Sequence, residues 1–83
     1  MSKQLLRSGT SIGANVEEAN QAQSKKDFIS KLSIALKEAC ETSFWIRLLR
    51  DSDFLTQQEG NSLLNDVHEL IRLLTSILKT SKQ

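Results

Sequence analysis

His68 and Cys40 are the only histidine and the only cysteine in this 83-residue sequence, and so its clearest candidates for acid–base or nucleophilic chemistry. A nucleophile needs a base, and the base needs a group that orients it; no second histidine and no glycine-rich phosphate loop accompanies either residue. One cysteine and one histidine also fall short of a closed zinc shell, which wants four soft or borderline ligands. The acidic pairs Glu17-Glu18 and Glu38/Glu41 have helix-surface spacing but lack the histidine complement of a di-metal carboxylate site. The sequence therefore assigns no catalytic, cofactor-binding or metal-ligating residue, and points away from an enzyme. His68 reads as a neutral hydrogen-bonded or exposed histidine beside a core stripe, and Cys40 as a small hydrophobe.

Polar residues near the N-terminus are more orderly. Arg7, Ser11, Asn15 and Glu18 follow one another at steps of four, four and three, which lines them up along one edge of a helix. Two readings stay open: an ordinary solvated flank, or a network that fixes register between helices, with Arg7 reaching Glu38 or Glu41. The basic residues Lys25, Lys26, Arg47 and Arg50 are candidate contacts to RNA or DNA. They are diluted by Asp27, Asp51 and Asp53, and eleven cations against ten anions leave a net charge of +1. Binding by charge alone normally shows a concentrated basic excess, so a nucleic-acid role would need assembly to repeat a weak patch.

The elements that position these residues are helices. Proline is absent, no stretch sustains period-two alternation, and the three glycines stand at positions 9, 13 and 60. The last segment, about 57–80, repeats apolar residues in sevens (Leu63/Leu70/Ile77, Leu64/Ile71/Leu78, Val67/Leu74), the signature of shallow packing between nearly antiparallel helices. Thr56 and Glu59 form a capping box at its start, and Ser24 with Asp27 a weaker cap before the middle segment, about 25–51. The first segment, about 3–21, presents Leu5, Ile12, Val16 and Ala19. Gly9 and Gly13 lower its helicity and point to close approach by another helix. Short links make the chain an all-α, up-and-down antiparallel bundle of three long helices in one domain, 1–83.

The middle helix has apolar residues on two faces. Phe28, Leu32, Ala35, Ala39, Ile46 and Leu49 form one stripe; Ile34, Trp45 and Leu48, with Glu38 and Glu41 beside them, project nearly opposite. Trp45 is either a partly exposed surface aromatic or the anchor of a subunit interface. A chain this short hides only about 60% of its unfolded surface, and without a disulfide or a metal the remaining support is another subunit. No signal peptide and no apolar run of membrane-spanning length is present, so a soluble cytoplasmic protein is expected, with no membrane contact.

At Ser11-Ile12-Gly13-Ala14-Asn15-Val16-Glu17-Glu18-Ala19 the chain resembles the four-helix bundle proteins of the 23S rRNA intervening-sequence family, also called S23 ribosomal proteins. Leu5-Leu6-Arg7-Ser8 upstream fits, as do Lys26-Asp27-Phe28-Ile29 and the run from Ala35 to Leu49. The likeness spans essentially the whole chain. It implies an up-and-down four-helix bundle that assembles as a homopentamer, acting as an oligomeric scaffold or interaction module. Relatives that accompany reverse transcriptases imply an accessory role with RNA or DNA, and the surface of a self-associating bundle is also a candidate site for a protein partner. Family chains carry a further helix before the Ser-Ile-x-x-Asn stretch, which is expected to be missing here and to leave an apolar groove beside Leu5, Leu6 and Ile12.

Overall fold

The computed structural model describes the backbone of residues 3–81 and the side chains of residues 11–81. Three α-helices follow one another: α1 (Lys3–Asn20), α2 (Lys25–Asp51) and α3 (Gln57–Ser81). There is no strand among the described residues, and no helix there is long and apolar enough to cross a membrane.

Local chemistry sets the helix ends. Ser24 Oγ accepts the Asp27 backbone N–H at 3.1 Å, so one of the unpaired donors at the start of α2 is satisfied. At α3 the capping box closes in both directions, with Glu59 N donating to Thr56 Oγ1 and Thr56 N donating to Glu59 Oε1, each at 3.0 Å. The C-terminus of α2 ends differently. Phe54 N donates to Leu49 O at 2.9 Å and Asp53 N to Arg50 O at 3.2 Å, while Asp53 takes a positive φ of 63°. This is a Schellman turn with aspartate where glycine is usual; a short polar side chain tolerates the left-handed conformation better than most.

α2 is the central element. Lys31 meets Glu18 of α1, whereas Ser43 and Arg50 meet His68 and Asn61 of α3, residue numbers falling on one helix as they rise on the other. At about 100° per residue, the α3-facing residues lie roughly 100–120° round α2 from Lys31. The two flanking helices therefore sit nearly at right angles about α2. No Cα of α1 comes within 8 Å of α3 among the described residues, and the extents are 43 × 22 × 13 Å. The core fills the inner angle: Ile12 and Ala19 of α1, Leu32, Ala35 and Ala39 of α2, and Leu74 and Leu78 of α3. Ala35 and Ala39 are wholly buried, their small side chains letting the helices close on each other. A second apolar cluster, Ile46 and Leu64 with Leu49, Leu55, Leu63 and Val67 around them, supports the α2–α3 end.

On the open side of that angle a shallow depression is lined by Ile12, Gly13, Val16, Glu17, Asn20, Gln21 and Leu70. Leu5 and Leu6, expected beside such a groove, have side chains outside the described residues. The glycines differ sharply. A Cβ on Gly13 would meet nothing within 4 Å, so among the described residues no other helix approaches it closely; on Gly60 it would lie 2.8 Å from both Cβ and Cγ of Arg50.

Opposite outcomes follow for the two glycines. Gly13→Ala should raise the stability of the chain by up to about 1 kcal/mol through helix propensity. Gly60→Ala should lower it by about 1–2 kcal/mol despite the same gain, because the stem of Arg50, not its flexible end, must move; urea unfolding of both variants checks the pair. The capping box also carries a pH signature. Hydrogen bonds from the Thr56 backbone and side chain hold the Glu59 carboxyl below its ordinary value. A lowered folded-state value means that the added stability is full above the ordinary glutamate value and is lost as pH falls through the lowered one. Glu59→Gln should flatten the stability profile in that acid window and leave its neutral limb parallel to the wild type.

Candidate functional site

The outer face of α2 is where chemistry and exposure coincide. Ile34, Glu38, Glu41, Trp45 and Leu48 recur at steps of four, three, four and three, a heptad stripe turned away from the inner angle. Ile34 is 40% exposed, Leu48 44% and the neighbouring Phe44 52%. Trp45 is half-buried, its indole meeting the Phe44 ring edge-on with centroids 5.4 Å apart and planes at 69°. Glu38 is half-buried and Glu41 exposed, and among the described residues neither carboxylate has a hydrogen bond or an ion pair. The stripe is exposed for a positional reason: α1 and α3 cover only the other side of α2.

The polar residues of α1 divide into separate contacts. Asn15 Nδ2 donates to the backbone carbonyl of Ser11 at 2.9 Å, the ordinary local bond of an amide one turn on. Glu18 reaches across to Lys31 Nζ at 2.9 Å, and this hydrogen-bonded charge raises the lysine pKa. The pair is solvent-exposed, so its contribution to stability is small. The Arg7 side chain, and with it any contact to Glu38 or Glu41, lies outside the described residues.

The basic residues of α2 fall at its two ends. Lys25 and Lys26 are exposed at its start; Arg47 is exposed near its end, about 30 Å away along the axis. Arg50 is engaged within the chain, its Nη1 donating to Asn61 Oδ1 at 2.9 Å and its Nε to Asp51 Oδ1 at 3.3 Å. On the α3 side His68 is exposed, with Nε2 3.4 Å from the buried Ser43 hydroxyl. Cys40 is exposed rather than packed as a small hydrophobe, because it projects outside both helix seams. No group of three or more His, Cys, Asp or Glu side chains that could hold a metal occurs among the described residues.

Two exposed aromatics were not singled out from the sequence. Phe44 belongs to the outer face, where its ring packs edge-on against Trp45 and stays open to solvent. Phe54 is 79% exposed in the α2–α3 turn, next to a groove formed by Leu49, Leu55 and Leu63. Its position in a Schellman turn depends on Asp53, for which the sequence offered no glycine signal.

No curated protein matches the chain. Among solved structures, a protein from Bacteroides thetaiotaomicron VPI-5482, described as of unknown function and from the S23 ribosomal protein family, is similar with 58% identity and a TM-score of 0.92. The match covers 95% of this chain and 73% of that one. The sequence profile of 23S rRNA-intervening sequence proteins matches residues 1–76. Together with the three-helix architecture, this match places the chain in the 23S rRNA-intervening sequence protein family.

Proposed function

We propose that this protein is a non-enzymatic, self-associating helical module, an oligomeric scaffold whose copies meet through the outer face of α2. The observation that carries this reading is the exposure of Phe44 and Leu48 around the half-buried Trp45, with Ile34 exposed about three turns earlier on the same face, on a helix already flanked by two others. Exposed apolar stripes at heptad spacing are expensive in water and are covered when a second helix packs along them. Tryptophan supplies the large, rigid contact typical of an interface anchor. A homopentamer, the assembly implied by the family resemblance, would bring five such faces into one ring.

A second reading, contact with RNA or DNA, is supported by Lys26 and Arg47, which are exposed and have no ion pair among the described residues. Repetition in an assembly would multiply their weak attraction. Retention of structured RNA at low salt, lost in an Arg47→Glu variant, tests this reading directly, since phosphate contacts are strongest there.

Self-association is tested by mass. Sedimentation equilibrium should give a multiple of the 9.3 kDa chain. Trp45→Ala should weaken association by about 2 kcal/mol or more, roughly thirtyfold, with helical circular dichroism retained. A wild-type protein that stays at single-chain mass across the concentration range removes the scaffold reading.

A further inference from the structure

The stripe on α2 also constrains how a second copy can meet it, granted that the copies associate as proposed above. Its centre is Glu41, with Glu38 one turn before it. A two-fold, antiparallel pairing of the stripe with itself would set Ile34 against Leu48 and Glu41 against Glu41 of the second copy. Like charges would then meet in the middle of an apolar contact, where their repulsion is least screened. Lys37, one turn before Glu41, is exposed and makes no ion pair with it.

A complementary surface lies on the other side of α2. Along the seam with α3 stand Arg47, His68, Arg72 and Lys79, all exposed and without an ion pair among the described residues. The Ser43–His68 contact fixes their level, and helical positions place Arg72 beside Cys40 and Leu36. Asp51 is already bonded to Arg50, and Glu69, one turn before Arg72 on α3, forms no ion pair with it. Phe44 stands between stripe and seam and is open to both. The same helix thus carries an apolar, acidic stripe and a basic seam on different parts of its outer surface.

We propose that copies associate head to tail, the Ile34–Leu48 stripe of one seated on the α2–α3 seam of the next, with Glu38 and Glu41 facing Arg47 and Arg72. Such a heterologous contact uses two different patches on every copy and closes only as a ring, or continues as a filament. Charge complementarity chooses the orientation, while the apolar residues supply most of the attraction.

Charge reversal tests the pairing on the full chain, with mass read by sedimentation and folding by circular dichroism. Glu38→Lys with Glu41→Lys should drop the assembly to the 9.3 kDa chain, and so should Arg47→Glu with Arg72→Glu, at concentrations where the wild type is assembled. All four substitutions in one chain should restore the larger mass. An Arg47→Glu/Arg72→Glu protein that remains fully assembled overturns the seam as docking partner; should that variant also lose low-salt retention of structured RNA, the seam is a nucleic-acid surface instead. A quadruple variant that stays dissociated while both double variants fold likewise overturns the pairing. A wild type that never assembles removes the self-association reading on which the proposal rests, and is distinguished from the other outcomes by the unmodified protein alone.

Discussion

A helix with neighbours on two sides remains open over the rest of its circumference, and α2 is built under that constraint. Burial of Leu32, Ala35, Ala39 and Ile46 against α1 and α3 holds the molecule together. The wholly buried alanines bring the backbones close, so packing is strong over a narrow arc of α2. Outside that arc the helix still carries Ile34, Phe44, Trp45 and Leu48. The near-right angle between the flanking helices is what separates the inner, dry arc from the outer, wet one.

That separation also sorts the charges. Residues at the seams are held by contacts within the chain: Glu18 to Lys31 on the α1 side, Arg50 to Asn61 on the α3 side. Glu38 and Glu41 on the outer stripe, and Arg47 and Arg72 on the exposed rim of the α3 seam, have no such partners among the described residues. A surface with opposite charges on different sides of one helix favours directional contact over indiscriminate adhesion, since wrong pairings bring like charges together.

Much of the fold was legible because its signals are local. The helix caps need only residues three apart, and both Ser24 and Thr56 make the bonds their spacing implies. The sevenfold repeat of α3 and the two apolar faces of α2 follow from helical period alone. Tertiary partners were less legible. Glu18 was grouped with Asn15 by spacing, yet it bonds to Lys31, thirteen positions on, because α1 and α2 lie antiparallel. The left-handed Asp53 carried no glycine to announce it, and the exposure of Cys40 depends on where α3 lies rather than on the character of the thiol. The outer stripe was visible in sequence because it is a property of one helix; its chemical complement on the α2–α3 seam was not, because it is assembled from two.

The notch at Gly60 bears on a different problem, that of sliding. A helix whose leucines and isoleucines repeat every seven residues can shift by two turns along its neighbour and find nearly equivalent apolar partners, so periodic packing by itself leaves the alignment ambiguous. Gly60 breaks the equivalence, since the stem of Arg50 fits only against a position without a side chain, and α3 has just one. A single missing methyl group thereby acts as a detent, allowing one alignment of the two longest helices and obstructing the translated copies that the repeat would otherwise permit.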